Sequence, residues 1–279
     1  MQPCLNLTTI LRADLEEAIC AAAQAGFDTV EIWVECLERY LDTHTIDDLR
    51  RLLDAHRMGV LSIGDIESIT FCNPEQFDQL RLRCERLASV ASAVSCPTLV
   101  ASASVRPHGA DASRIARETS SVIGKLLDTL EPAGVGLAFA FRGFGWCAVN
   151  SLDQAREAVE CHAGRRIGLA LDTFDLHTTG VSPNTLETVE SSRIFVMRLS
   201  DCIDVPPAIL SETDRALPGE GIGRLDDMLE ALGKSGFSGP VSLKILSPKL
   251  WGLDAAETAK IVMAVAGQYL PGTCSNREP

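Results

Sequence analysis

Three charged side chains stand at the ends of sequence runs that otherwise have the apolar composition of buried strands. Asp172 follows GLAL, Arg198 follows FVM, and Lys244 follows VSL. A charge at such a position is costly unless it is paired or used, so these residues form the candidate catalytic set. A lysine can stabilise a developing enolate as a charged clamp, abstract a proton or form an imine. An arginine can bind a carboxylate through two nitrogens.

Each member of this set also has a structural alternative. Asp172 could cap the loop that follows it, and Lys244 could be a strand lysine that faces solvent. Arg198 could form an ion pair with Asp201, and either cation could pair with Asp172. Strands covered by helices on one side and packed on the other make an unpaired lysine unfavourable, which supports the functional interpretation of Lys244.

Other polar and aromatic side chains follow the remaining predicted strands or lie in the adjoining loops. The candidates for substrate contact are Glu31, Trp33, Asp65, Glu67, Arg142, Asp175, His177 and Arg215. Several of them are also candidate acid or base groups, since carboxylates and histidine move protons near neutral pH. For Arg215 the structural alternative is an ion pair that holds its loop in place.

Charge and cysteine content exclude several function classes. The net charge of −13 disfavours nucleic acids, which require clustered lysine and arginine, and it disfavours a polybasic membrane contact. The ten cysteines include no CxxC pair, so we expect no zinc ribbon, and without a secretion signal we expect no disulfide framework. Arg12 and Asp14 interrupt any signal-peptide core, and no apolar stretch approaches the roughly 18 residues that span a membrane. We therefore expect a cytoplasmic protein.

Strand-like and helix-like segments alternate along the whole chain. The predicted strands are Pro3–Thr8, Asp28–Trp33, Gly59–Ile63, Pro97–Ala103, Gly134–Phe141, Arg166–Asp172, Arg193–Leu199 and Val241–Leu246. The predicted helices are Asp14–Gly26, Thr45–His56, Pro74–Val94, Ala110–Leu130, Ser151–Glu160, Leu225–Lys234 and Asp254–Leu270. Eight such units predict an α/β fold, a single (β/α)8 TIM barrel over residues 1–270 with a C-terminal tail over 271–279.

The alternative is an open doubly wound sheet. That fold usually carries GxGxxG after its first strand, and no such motif is present there, so the barrel is favoured. Catalytic groups of a barrel lie at the carboxyl ends of its strands, which is where the candidate residues fall.

Several segments resemble the sugar phosphate isomerase/epimerase superfamily, the xylose isomerase-like TIM barrels. They are AQAGFDTVEIW, GLALDTFDLH, RIFVMRLSD, ALPGEGIGRLDD and GFSGPVSLKI, in order between about Pro3 and Leu270. The 3-dehydroshikimate dehydratase branch is the nearest in pattern, with inosose dehydratases as relatives. The stretch from Arg215 to Gly221 matches the R-x-x-P-G-x-G pattern of the superfamily, whose arginine contacts the substrate.

The resemblance implies one divalent metal held by four ligands at strand ends. Asp172 matches one ligand, whereas Ala140, Arg198 and Lys244 stand where the other three are expected, and Asp175 replaces a motif histidine. Arginine and lysine ammonium groups have no lone pair for a metal. We therefore expect no metal and no cofactor, with the two cations occupying the space of the metal.

These observations predict a metal-independent isomerase or lyase. Its reaction would be a proton transfer, dehydration, rearrangement or cyclisation beside a carbonyl, on a small, anionic and cyclic substrate. The alternative is a non-catalytic relative that binds a ligand or supports an enzyme. The expected partner is a small molecule, and the oligomeric state stays open, with a homodimer among the arrangements.

Overall fold

A computed structural model describes residues 1–270, and the predicted tail lies outside the described residues. The strands are β1 (Pro3–Asn6), β2 (Thr29–Trp33), β3 (Gly59–Ile66), β4 (Thr98–Ser102), β5 (Gly136–Ala140), β6 (Ile167–Asp172), β7 (Ile194–Leu199), β8 (Asp201–Cys202), β9 (Arg215–Ala216) and β10 (Val241–Leu243). The helices are α1 (Leu15–Ala25), α2 (Val34–Leu41), α3 (Ile46–Ala55), α4 (Pro74–Ala93), α5 (Ala112–Leu130), α6 (Leu152–Glu160), α7 (Thr173–Thr178), α8 (Pro183–Glu187), α9 (Leu225–Lys234) and α10 (Ala255–Tyr269).

Eight of these strands close into a parallel barrel. Strands β1 to β7 pair in chain order, and β10 pairs with both β7 and β1. The short strands β8 and β9 form a separate antiparallel pair. The structure thus confirms the predicted (β/α)8 barrel. Within residues 1–270, no helix combines the length and the apolar character that crossing a membrane requires.

Local sequence signals start and stop the barrel helices. The side chain of Asp14 accepts the backbone N–H of Glu17 at the start of α1, and Gly26 ends that helix with a φ of 97°. Asn73 forms a reciprocal capping box with Gln76 ahead of α4, with Pro74 at its first position. These caps set the first residues of α1 and α4 and the last residue of α1.

Small side chains fill part of the barrel interior. Ala138, Ala140 and Ala170 pack with Val100 and Val196, each from one of the strands β4 to β7. Asp172 lies two residues beyond Ala170 and Arg198 two residues beyond Val196, so both point to the same side as this layer. The charged residues therefore form the next layer towards the carboxyl ends of the strands, which we call the barrel mouth.

Candidate active site

Lys244 lies at the centre of the barrel mouth. It directly follows β10, and its backbone N–H donates to the carbonyl of Leu199, so it continues the strand ladder. Its Nζ donates to Asp65 Oδ2 at 3.1 Å and lies 4.0 Å from Asp172 Oδ2. With only 3% of the side chain exposed, the solvent-facing alternative is wrong. Lys244 instead stands between two carboxylates from opposite parts of the barrel.

Arg198 binds two carboxylates from strands across the barrel. Its Nε donates to Glu31 Oε1 at 3.1 Å and its Nη1 to Asp65 Oδ2 at 3.1 Å, while Nη2 contacts both acids. All three side chains are almost completely buried. The structural alternative of an ion pair with Asp201 is not what the structure shows, because the side chain of Arg198 points into the barrel interior and away from the following loop.

Glu31 contacts Arg198 and is itself held by two other side chains. Its Oε2 accepts hydrogen bonds from Asn6 Nδ2 at 2.7 Å and from Ser242 Oγ at 2.6 Å, and its side chain is 1% exposed. The structure therefore places Glu31 against the guanidinium of Arg198, as a residue that positions this arginine. The contributions of Asn6 and Ser242 were not predicted, because neither residue type nor spacing shows that β1, β2 and β10 meet at one carboxylate.

Asp201 binds the backbone of the glycine-rich segment that follows the β8–β9 hairpin, the antiparallel pair described above. Its carboxylate accepts the backbone N–H groups of Gly219, Gly221 and Gly223 at 2.7 to 3.1 Å. A Cβ at Gly221 would lie 2.1 Å from the Cys202 carbonyl, so only glycine fits this close approach. The PGEGIG segment is therefore a loop that surrounds a buried carboxylate.

Arg215 on β9 is completely buried in ion pairs. Its Nη1 donates to Asp172 Oδ1 at 2.8 Å, its Nη2 donates to Glu212 Oε2 at 3.0 Å, and its guanidinium lies 4.4 Å from the centre of the Phe174 ring. None of its side chain is exposed. These contacts match the structural alternative, in which Arg215 fastens its loop, and a substrate contact stays a prediction that would require Glu212 to move.

Arg142 closes one side of the mouth. Its Nη1 donates to Asp65 Oδ2 at 3.1 Å, while its Nη2 lies 3.0 Å from Glu67 and 3.2 Å from Glu212. Glu67 is 58% exposed and borders an open cavity of about 670 Å³ along the loops after β3 and β4. Glu212 was not predicted, although an acid three residues before Arg215 was a signal in the sequence.

Asp175 lies in α7, behind Asp172. It is buried, and its Oδ1 accepts the backbone N–H of Gly143 at 2.7 Å. Burial first, and then the charges of Asp172 and Glu212, raise the pKa of Asp175 to about 7. A carboxyl group of this kind exchanges its proton near neutral pH.

Three other carboxyl groups of the mouth have lowered pKa values. Burial alone would raise the pKa of Asp65, but Arg198, Lys244 and Arg142 outweigh it and hold the pKa well below its usual value. Arg215 and Lys244 likewise outweigh burial and lower the pKa of Asp172. Glu212 follows the same pattern, and its pKa falls to about 2. The mouth is therefore a network of paired charges, and Asp175 beside it has a pKa near neutral pH.

Two further candidates lie outside this network of ion pairs. Trp33 ends β2 and is half-buried, with the Arg39 guanidinium 5.4 Å from its ring centre. His177 is half-buried in the last turn of α7, two residues beyond Asp175. Their contact with substrate stays a prediction.

The residues of the mouth do not fit a divalent metal. Of the four positions at which the resemblance implies ligands, only Asp172 offers a donor, since Ala140, Arg198 and Lys244 occupy the others. Asp172 Oδ2 is buried and accepts no hydrogen bond, but Lys244 Nζ faces it at 4.0 Å, where a cation is thus already present. Among residues 1–270, no cluster of three histidine, cysteine or acidic side chains is arranged to hold a metal.

Fold and site together define a closed parallel barrel with a network of buried, paired charges at the carboxyl ends of its strands. The chain belongs to the xylose isomerase-like TIM barrel family, whose model matches residues 19–265. This confirms the family resemblance seen in the sequence. The assignment does not depend on the metal ligands, since the match spans most of the barrel.

The relatives include proteins with two kinds of activity. The chain is 30% identical over 262 residues to the inosose isomerase of Halalkalibacterium halodurans, covering 93% of both proteins. It is 27% identical over 255 residues to the 3-dehydroshikimate dehydratase of Pseudomonas aeruginosa, covering 90% of this chain and 38% of that protein. The crystal structure of the IolI protein with a bound zinc atom superimposes with a TM-score of 0.91 at 27% identity, covering 97% of this chain and 100% of IolI.

Proposed function

We propose that this chain is an isomerase of a small cyclic hydroxy ketone that moves a proton beside the carbonyl without a divalent metal. The observation that carries the proposal is the buried Lys244, 3.1 Å from Asp65 and 4.0 Å from Asp172, at a position where the family resemblance implies a metal ligand. The inosose isomerases among the relatives support a cyclic ketone as the substrate.

Lys244 is assigned the role of an electrostatic clamp. The metal of such an enzyme polarises a carbonyl, and a fixed ammonium can stabilise the same developing negative charge. The contacts of Lys244 with Asp65 and Asp172 hold its Nζ between two carboxylates, a geometry that supports a clamp over a proton-abstracting or imine-forming amine. Arg198, held by Glu31 and Asp65, supplies a second fixed positive charge at the same end of the barrel.

Asp175 is assigned the role of the proton-transfer group. In its ionised form it takes a proton from the carbon next to the carbonyl, and the electron pair moves onto the carbonyl oxygen beside the cations. Transfer of the neighbouring hydroxyl proton and return of a proton to carbon then give the isomeric ketone, so that no atom is gained or lost. A group with a pKa of about 7 is suited to both directions of this transfer.

Dehydration is a second candidate reaction, which the 3-dehydroshikimate dehydratases among the relatives favour. It begins with the same proton removal and ends with loss of a hydroxyl group as water, with Asp175 in its protonated form as the donor. A non-catalytic binding role is the remaining alternative. It is disfavoured because a binding module has no need of an acid that titrates near neutral pH close to Asp172 and Arg215.

The experiment that tests the proposal is a product analysis. The purified chain is incubated with an inosose, and the ring products are separated by liquid chromatography and identified by NMR. We expect an isomeric inosose, formed at a rate proportional to protein concentration. A product lighter by one water would assign the dehydratase reaction instead, and an unchanged inosose would contradict an isomerase of this substrate class.

A further inference from the structure

One carboxylate of the barrel mouth comes from outside the barrel. Glu212 lies on the connection between β8 and β9, and its side chain reaches the mouth while 22% of it stays exposed. Its Oε1 lies 3.2 Å from Arg142 Nη2 and its Oε2 lies 3.0 Å from Arg215 Nη2. Two arginines that converge on one carboxylate form the arrangement with which proteins bind a carboxylate ligand.

The charges of the mouth balance only when Glu212 is included. The cations of the mouth are Arg142, Arg198, Arg215 and Lys244, and the acids paired with them are Glu31, Asp65, Asp172 and Glu212. Asp175 is largely protonated below pH 7, and Glu67 is mostly exposed, where water screens its charge. An anionic ring that enters this mouth therefore finds no cation without a partner.

The contact of Glu212 with Arg142 lacks the directed hydrogen bond that Glu212 makes with Arg215. Glu212 Oε1 is buried but accepts no hydrogen bond of good geometry, although the Arg142 guanidinium lies within ion-pair distance. This oxygen is held by charge rather than by a directed hydrogen bond. A ligand carboxylate at the same place would compete for the same two arginines.

We propose that Glu212 sets the charge selectivity of the site, because its carboxylate occupies the place in which the carboxylate of an anionic ring would bind. The wild-type chain then selects an electrically neutral ring ketone and rejects a ring acid of similar size. This inference builds on the proposed function, since it assumes that the mouth binds a ring ketone, and it replaces the anionic substrate expected from the sequence by a neutral one.

The test compares one neutral and one anionic ring ketone. An inosose and 3-dehydroshikimate are titrated by calorimetry at pH 6 into the wild type, Glu212→Gln and the control Asp204→Asn. Asp204 is an exposed acid on the same connection, so its substitution removes the same charge away from the two arginines. We expect Glu212→Gln to bind 3-dehydroshikimate at least ten-fold more tightly than the wild type and Asp204→Asn do. Inosose affinity should change less than three-fold.

Two further variants keep the test decisive. Glu212→Ala repeats it should the glutamine variant not fold, and adding Arg142→Gln to either variant should abolish the gain for the ring acid. Tight binding of 3-dehydroshikimate by the wild type would overturn the proposal, as would an equal, weak affinity in all variants. Turnover of the inosose is recorded separately, so failure of the proposed isomerase activity is distinguishable from failure of the charge selectivity.

Discussion

At the scale of single residues, Lys244 and Arg198 in the barrel mouth are each held by a countercharge from another strand. Lys244 after β10 contacts Asp65 of β3, and Arg198 of β7 contacts Glu31 of β2. Buried charges without such partners would destabilise the fold by several kcal/mol each. The function of Lys244 and the stability of the mouth are therefore linked, and variants must be examined for both.

Replacing Lys244 should remove most of the activity. Lys244→Met retains most of the volume but no charge, and we expect kcat to fall about 100-fold or more, as for the loss of one group that stabilises an oxyanion. Lys244→Arg keeps the charge and should retain part of the activity if the residue is a clamp. Lys249→Met, the same change at an exposed lysine, is the control for the rate measurement. Near-normal turnover in Lys244→Met would remove Lys244 from the mechanism.

The pH dependence of the rate should report Asp175. Because its ionised form takes the proton, kcat/KM should rise with pH to a plateau, with a midpoint near the pKa of about 7. Asp175→Asn should lose this rising limb together with most of the activity. Asp42→Asn, at an exposed acid, should leave the profile unchanged. A wild-type profile flat between pH 5 and 8 would contradict the assignment.

The stability of the chain should depend on the same group. The pKa of Asp175 is raised in the folded state, so the unfolded chain ionises this group from about pH 4 while the folded chain keeps the proton up to about pH 7. Asp175 therefore lowers the unfolding free energy of the wild type as the pH rises from about 4 to about 7. The effect is a few kcal/mol, at about 1.4 kcal/mol per pKa unit. Asp175→Asn lacks this effect. The unfolding free energy of the variant minus that of the wild type should therefore increase from pH 4 to pH 7. Urea denaturation at several pH values measures this difference, and a constant difference would contradict the raised pKa.

At the scale of elements, the β8–β9 hairpin is what completes the mouth. Arg215 fastens it to Asp172 at the end of β6, and the glycine segment that follows it wraps Asp201. The hairpin thereby places Glu212 opposite Arg142. The element carries only two residues in each strand, so its position depends on these side-chain contacts more than on its ladder.

Arg215→Ala should therefore loosen the hairpin. We expect a stability loss of about 3–5 kcal/mol, because the substitution leaves Asp172 and Glu212 buried without their partner. Hydrogen exchange of residues 203–214 should accelerate by mass spectrometry, while α5 on another part of the barrel should exchange as in the wild type. An unchanged melting temperature combined with weaker substrate binding would instead support the direct ligand contact predicted from the sequence.

The sequence predicted the regular elements better than the irregular ones. Alternating apolar strands and capped helices were recognisable because caps such as Asp14 and Asn73 and stops such as Gly26 act locally. Helix α2 was not predicted, since it starts directly after β2 and Trp33 at its start makes no side-chain cap. The hairpin was missed because two-residue strands leave no periodic pattern.

The site was predictable in its membership and less so in its pairing. Strand period placed Asp172, Arg198 and Lys244 at the mouth. In the structure Arg198 and Lys244 share Asp65, and Lys244 lies 4.0 Å from Asp172. The partners of Arg198 are 133 and 167 residues away in the chain, so no local pattern identifies them. Glu31 was predicted to contact substrate, and the structure shows it paired with Arg198, a contact that period two could not indicate because it assigns a face but not a depth. Its contact with substrate stays a prediction.

At the scale of the whole molecule, the barrel is that of its family, and its mouth carries Arg198 and Lys244 at two positions where the sequence resemblance implies metal ligands. The family fold superimposes on the zinc-containing IolI structure over nearly the full chain. Around Asp172, however, fixed cations and their acids fill the mouth, and the donors that a divalent ion requires are missing. The account therefore predicts the chemistry of the family on a site in which lysine and arginine act where a metal is otherwise expected.

The most direct test of this claim is solvent deuterium exchange into an inosose, followed by NMR, with protein that has been stripped by EDTA and checked by elemental analysis. The account predicts deuterium at the carbon beside the carbonyl at the same rate before and after stripping. Added zinc, manganese or magnesium should not increase that rate. Exchange that disappears with the chelator and returns with one of these ions would contradict the account.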